Sequence, residues 1–330
     1  MELMDTNRKT GSKRKKAKKP NVFELISAAT SQEDLEPWEG TIESYLPLVI
    51  ENPKYNDTAH ARIWRMIESA GVEFDEEDKD KRQPRYVFFR KDLYGIDDTL
   101  HRLMVDYFKA AAVGSDVSKR ILLLYGPTSS GKSDFTAHIK AGLEQFSRTK
   151  EGRIFAIQDC PMHENPLNAI PKAARADLKR EYGLVVDGGL CPFCALRLKS
   201  EFGGNWRKLP VERIFLSEDE RVGIGTFQPA DPKSQDQAEL TGSINLSKIT
   251  EYGSESDARA FDFNGELNVA NRGAMEFIEL LKVDPKFRHI LLTLAEEKKI
   301  KAPRFPLISA DLAILSHTNE TEYKKFLAQK

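Results

Sequence analysis

The sequence predicts an α/β layered fold built on a parallel sheet, with a phosphate-binding loop at the end of one strand. Three observations predict it. The run Ile121 to Leu124 is continuously apolar, as expected of a strand buried on both faces. It leads directly into Gly126-x4-Gly131-Lys132-Ser133 and then into a helical segment. Further short apolar runs, Arg153 to Gln158, Ala274 to Ile278 and Leu312 to Ser316, are separated by helical stretches, the alternation that builds layered α/β sheets.

The elements follow in order. Eight basic residues and no acid stand between Arg8 and Lys19, so residues 1–20 read as a solvated, disordered tail. No aromatic residues interleave with them, and nucleic acid is not an expected partner. Val22 to Glu36 reads as a helix that Pro37-Trp38-Glu39-Gly40 breaks. Tyr45 to Ile50 and Ala59 to Ala70 are helical, the latter with Ile63, Met66, Ile67 and Ala70 on one face. Residues 21–90 thus form a mainly helical N-terminal region, with an acidic surface loop from Glu73 to Asp80 and a short strand at Tyr86 to Phe89. The core begins at 91. Asp98 caps a helix whose Leu100, Leu103, Met104, Tyr107 and Phe108 follow the 3.6-residue period, and the strand Lys119 to Tyr125 comes next.

Composition narrows the class. The chain has 330 residues, 40% hydrophobic and 31% charged, enough for a sizeable core and roughly two domains. No apolar run approaches the ~18 residues needed to span a bilayer, so no membrane role is expected. The basic stretch near the start has no apolar segment after it, so no secretory leader is expected. Three cysteines exclude a disulfide framework and fit a reducing, cytoplasmic setting.

In the loop Gly126-Pro127-Thr128-Ser129-Ser130-Gly131-Lys132-Ser133 the glycines let backbone N–H groups approach phosphates. Lys132 is placed to reach the β- and γ-phosphates of ATP, and the Ser133 hydroxyl to ligate Mg²⁺. The following helix presents its positive end to the same charge. A hydrolytic site also needs acids. Glu279, ending the strand of Ala274 to Ile278, is the candidate for orienting water, although Ile278 stands where an aspartate is usual. Glu276 shares a strand face with Ile278 and is a candidate to assist the metal. Both glutamates can also be read as exposed strand-end charges. Asn319 is placed to align water beside the γ-phosphate, or else to cap the next helix.

All three cysteines fall in one pattern, Cys160-x2-His163 and Cys191-x2-Cys194. Two tight pairs of soft ligands complete a tetrahedron around Zn²⁺ and leave no open position, which reads as a structural zinc knuckle within an insert at 159–210. Buried free thiols beside a surface histidine are the alternative.

These residues resemble the PrkA family of bacterial proteins named serine protein kinases, from about Trp38 to Lys330. The resemblance is carried by Trp38-Glu39-Gly40-Thr41, Thr58-Ala59-His60-Ala61-Arg62, the phosphate loop, Cys160-Pro161-Met162-His163-Glu164 and Cys191-Pro192-Phe193-Cys194. It continues in Arg221-Val222-Gly223-Ile224-Gly225-Thr226-Phe227, Leu240-Thr241-Gly242-Ser243-Ile244, Ile249-Thr250-Glu251-Tyr252-Gly253-Ser254-Glu255-Ser256-Asp257 and His317-Thr318-Asn319-Glu320-Thr321-Glu322-Tyr323. The resemblance implies an AAA+ ATPase core over 91–330, with Tyr94-Gly95-Ile96 beside the adenine. Leu240-Thr241-Gly242-Ser243 and Asn271-Arg272-Gly273 also resemble magnesium-chelatase-type AAA+ modules, which assemble into rings, so self-association as a ring or other homo-oligomer and a protein substrate are expected. Family members continue well beyond Asn319, so a C-terminal lid and a fifth strand beside the phosphate-loop strand are expected to be missing here. The isolated chain is then expected to bind ATP weakly and hydrolyse it slowly.

The function expected is an ATP-binding AAA+ module of a PrkA-type serine protein kinase, coupling hydrolysis to conformational change or to phosphotransfer. The alternative is a nucleotide-gated interaction scaffold without turnover. The eukaryotic-type kinase set is absent. Phe155-Ala156-Ile157-Gln158 lacks the lysine, Asp262-Phe263-Asn264 lacks the glycine, and Leu103 follows His101-Arg102 where an aspartate would stand.

Overall fold

The computed structural model describes residues 21, 33–74, 84–90, 93, 95–228 and 236–328. The basic tail, nearly all of the helix expected from Val22 and most of the acidic loop therefore lie outside the described residues. Leu35 to Lys330 form one compact unit.

Strand β1 (Glu39–Thr41) runs into α1 (Ile42–Glu51), where the Thr41 N–H donates to Ser44 Oγ at 2.8 Å and closes the first turn. Ile42, Tyr45 and Val49 fall on one face and are fully buried. Helix α2 (Ala59–Ser69) is capped by the Thr58 hydroxyl and buries Ile63, Met66 and Ile67. Instead of a strand from Tyr86 to Phe89, the strand is Pro84–Tyr86 and a 3₁₀ turn follows at Val87–Phe89, which lets Phe89 stack on Phe135. Helix α3 spans 97–112. It begins at Asp97 with Ile96 at the cap, so Asp98 lies in the first turn rather than at the cap, and its middle third is π-wound.

Strand β2 (Leu122–Gly126) leads through the phosphate loop into α4 (Lys132–Ser147). Then come β3 (Ile154–Ile157), α5 (Lys172–Tyr182), α6 (Pro192–Ser200), β4 (Pro210–Ile214) and β5 (Ile224–Phe227). Last come β6 (Ala274–Ile278), α7 (Pro285–Glu297), β7 (Ala313–Asn319) and α8 (Glu320–Ala328).

Four strands make a parallel sheet in the order β2-β7-β6-β5. The register sets Asn319 beside Gly126 and Ile278 beside His317, so the carboxyl ends of β2, β7 and β6 meet at one edge. Among the described residues β2 pairs on one side alone, with β7. β5 was not anticipated. Its backbone approaches β6 closely: Ala274 N–H donates to the Gly223 carbonyl at 3.0 Å, and a side chain at Gly273 would collide with that oxygen.

The strand expected around Arg153 to Gln158 exists, but it belongs to a separate antiparallel sheet, β1-β4-β3, with Ile154 opposite Ile214. Its four residues are all buried, the same signature a central parallel strand leaves. The segment expected as an insert connects β3 to β4, and β1 from the N-terminal region pairs with β4. The N-terminal helices are also tied to the parallel sheet. Ala59 N–H donates to Asp311 Oδ2 at 2.9 Å, and buried Arg62 donates to the Arg272 carbonyl at 2.6 Å, just before β6. No described helix is long and apolar enough to cross a membrane.

Candidate nucleotide site and cysteine cluster

The phosphate loop leaves β2 at Gly126 and turns through two left-handed residues, Ser129 (φ 59°) and Gly131 (φ 78°). Gly131 is required twice over. Its backbone is in the region where a side chain is strained, and a Cβ would sit 3.2 Å from Leu93 Cδ2. The loop residues 127–130 and Ser133 are exposed at the head of the 16-residue α4. Lys132 Nζ donates to Gly126 O at 3.1 Å, Pro127 O at 2.5 Å and Ser130 Oγ at 3.0 Å, so the ammonium lies within the loop. A helix start, a cation and exposed loop N–H groups together form a cradle for an anion.

Tyr94 lies outside the described residues. Gly95 (φ 73°) and the half-exposed Ile96 stand at the head of α3, and the Leu93–Gly131 contact carries this stretch to the side of the phosphate loop. Leu93 was not singled out from the sequence, since nothing in its neighbourhood distinguishes it from a core leucine.

At the sheet edge Glu279 follows β6 in a left-handed backbone (φ 53°, ψ 48°). A non-glycine residue there costs on the order of 1 kcal/mol and persists where its surroundings hold it. Its carboxylate Oε2 receives a long contact from Asn319 Nδ2 at 3.4 Å. Asn319 also caps α8, its Oδ1 accepting from Glu322 N at 2.9 Å. The Oδ1 end of the amide thus serves as the helix cap, and the Nδ2 end faces Glu279.

Glu276 faces inward, and both of its oxygens are engaged. Thr136 Oγ1 donates to Oε1 at 2.5 Å, with His317 Nε2 3.4 Å from the same oxygen, and Lys140 Nζ lies 2.6 Å from Oε2. Burial opposes its ionisation, but bonds from His317, Lys140 and Thr136 outweigh that and hold it down to about 2. Lys140 also reaches Glu218 at 2.7 Å and Thr226 Oγ1 at 3.0 Å. The network fastens α4 to β6 and β5. The sequence held a weak signal of it: Thr136 and Lys140, four apart, interrupt the apolar face of Phe135, Ile139 and Leu143.

The three cysteines are buried and unpaired by disulfide. Cys191 caps α6, with Pro192 at its first position, and its Sγ accepts from Cys194 N at 3.4 Å. Cys160 Sγ lies 3.9 Å from Cys191 Sγ. One donor atom each of Cys160, Glu164, Cys191 and Cys194 lie within 4.8 Å of one another, a group that includes Glu164 and does not include His163. Left-handed backbone at His163 (φ 46°) turns the chain so that the next side chain faces the sulfurs. Glu164 Oε2 accepts from Cys191 N at 2.7 Å, while the buried Oε1 has no partner. Burial and the Cys160 sulfur push this carboxyl well up, and burial raises the Cys191 thiol. Three sulfurs and an unsatisfied carboxylate oxygen fit a soft-to-borderline divalent cation.

The chain is 51% identical over 310 residues to the ATP-dependent protease PrkA of Bacillus subtilis, an alignment covering 94% of this chain and 48% of that protein. It is 30% identical over 255 residues to the serine/threonine kinase YeaG of Escherichia coli K12, covering 74% and 38% respectively. The chain thus spans about half or less of the length of these curated relatives. Among solved structures, a magnesium chelatase BchI–BchD complex matches 65% of this chain and 52% of its own at 16% identity and a TM-score of 0.39. The model of the PrkA AAA domain matches residues 40–330, from β1 through the phosphate loop and the cysteine cluster to the end of the chain, and the chain belongs to that family.

Proposed function

We propose that this chain is the nucleotide-binding and hydrolysing AAA+ module of a larger ATP-dependent protein. One observation carries the reading: the phosphate loop, Asn319 and Glu279 converge at the carboxyl edge of the parallel sheet, where ligands of such folds bind. Loop N–H groups and Lys132 hold the phosphates, the Ser133 hydroxyl holds Mg²⁺, and Gly95 and Ile96 flank the base. When bound, Mg²⁺ neutralises charge building on the phosphate oxygens. The Glu279 carboxylate accepts a proton from water and aims it at the γ-phosphate, with the Asn319 amide fixing the carboxylate. Glu276 acts at one remove, since its oxygens already hold α4, and is a positioning residue in this reading.

The two named activities of the relatives, protease and serine/threonine kinase, both act on a polypeptide, so a protein substrate is the shared expectation. The cysteine cluster holds structural Zn²⁺, and its reduced thiols suit the cytoplasm. Among the described residues β2 pairs on one side alone, an edge that suits self-association. Phosphotransfer to serine is the second reading, and a nucleotide-gated scaffold the third.

Incubation with γ-labelled ATP separates them. Free phosphate without labelled serine is the expected result. Label in serine, or binding without turnover, overturns the reading in favour of the second or the third. Glu279→Gln keeps the shape and removes the base, so phosphate release should fall by about 10²–10³-fold while nucleotide affinity changes little. Unchanged turnover in this variant would remove Glu279 from the chemistry.

A further inference from the structure

The zinc reading above leaves open which atoms hold the metal and what the metal does for the rest of the fold. We infer that the cluster is a Cys₃Glu site in which Glu164 supplies the fourth ligand, and that the metal loop braces the start of β6 through Asn271. This inference rests on the zinc reading and deepens it.

The donor set comes first. Cys160, Cys191, Cys194 and Glu164 are each buried, and their donor atoms lie within 4.8 Å of one another. Glu164 divides its work between two oxygens: Oε2 accepts the Cys191 N–H at 2.7 Å, and Oε1, buried without a partner, is left to the metal. The peptide N–H groups of Cys191 and Cys194 soften the accumulated negative charge, the second by donating to Cys191 Sγ. His163, half-buried on left-handed backbone, stands outside this group.

The brace follows from hydrogen bonds that leave the same loop. Asn271 is 3% exposed. Its Nδ2 donates to the Met162 carbonyl, between two of the ligands, at 2.7 Å, and its Oδ1 accepts from Asp311 N at 2.8 Å. The next residue, Arg272, donates its N–H to the Asp311 carbonyl at 2.7 Å. A second tie runs from Gly189 N–H, just before Cys191, to Ser309 Oγ at 3.1 Å. β6 and β7 begin three and two residues beyond Asn271 and Asp311; Glu279 directly follows β6, and β7 ends in Asn319. A metal that fixes the 160–164 turn therefore also fixes the chain entering both strands that carry the polar groups of the nucleotide edge.

The test measures metal and backbone protection, not activity. Purified wild-type chain should contain one zinc by elemental analysis, and His163→Ala should keep it. Glu164→Gln should bind Zn²⁺ at least roughly 10–100-fold more weakly in competition with a chromophoric chelator. Replacement by Co²⁺ should give the same ligand-field spectrum in wild type and His163→Ala. Hydrogen exchange after chelation should speed up in 160–164 and 189–194, and also in 271–276. Asn271→Ala should keep the zinc yet show fast exchange at 271–276 with or without chelator. A folded wild-type chain without metal would overturn the zinc reading itself. Metal lost in His163→Ala, or fully kept in Glu164→Gln, would overturn the ligand assignment alone. If Glu164→Gln does not fold, the His163→Ala result still decides. Chelation that leaves 271–276 unchanged would overturn the brace.

Discussion

Lys132→Ala should weaken ATP binding by about tenfold to a hundredfold and cut turnover by a further ~10²–10³-fold. The first figure corresponds to losing one or two charge-assisted hydrogen bonds, worth ~1.5–3 kcal/mol. The second reflects an interaction that strengthens as charge builds on the transferring phosphate. Stability should hardly move, because the ammonium bonds only to oxygens of its own loop, Gly126 O, Pro127 O and Ser130 Oγ, and fills no core space. Titration with a fluorescent ATP analogue, beside a thermal unfolding curve, checks both halves. Equal affinity in wild type and variant would remove this loop as the nucleotide site. A large loss of stability would show that the loop needs its lysine to fold, and the binding loss could then not be read as chemistry.

The parts of this site that were legible in the sequence are those whose chemistry is local. The phosphate loop is eight consecutive residues, and each does its work within one turn of its neighbours. Glu279 and Asn319 were legible because strand ends in parallel sheets converge. What escaped depends on distant pairing or on a single backbone angle. Strand β5 reads Ile-Gly-Thr-Phe, and the glycine hides its apolar pattern, although Gly225 is packed against the backbone of Glu266. β3 has the right residues but the wrong sheet, because full burial looks the same in either one. The Cys-x2-His spacing pointed to His163, and the donor atoms gathered around the three sulfurs include Glu164, the residue after a left-handed turn. Lys140 was not singled out from the sequence, and only the fold brings it to Glu276.

That last pair yields the largest expected change in stability. Lys140→Met should destabilise the fold by about 3–5 kcal/mol at neutral pH, the usual cost of leaving one member of a buried ion pair without its partner. Most of the loss belongs to Glu276, whose side chain is 6% exposed, and little to Glu218, which is 41% exposed and screened by water. The pH dependence identifies the cause. Glu276 is depressed from 4.5 to about 2 in the folded protein, so its ionised form contributes on the order of 3 kcal/mol above the unfolded value. That contribution is lost as pH falls from about 4.5 through about 2. Lys140 is shifted upward despite burial, by its bonds to Glu218 and Glu276, so its share is complete below its unfolded value and is lost only in alkali, as pH rises through the raised one. Between these limits wild-type stability should show no slope from this pair. In Lys140→Met the carboxylate stays buried without its cation, and protonation relieves it. The gap between variant and wild type should therefore be widest near neutrality and shrink toward pH 2. Urea unfolding at a series of pH values measures it, with Glu276→Gln completing a double-mutant cycle. Because the pair fastens the phosphate-loop helix to β6, the same variant should also loosen nucleotide binding, by less than Lys132→Ala does. A gap below about 1 kcal/mol, or one that does not change with pH, would mean that the helix is held to the sheet by apolar packing of Phe135, Ile139 and Leu143 alone.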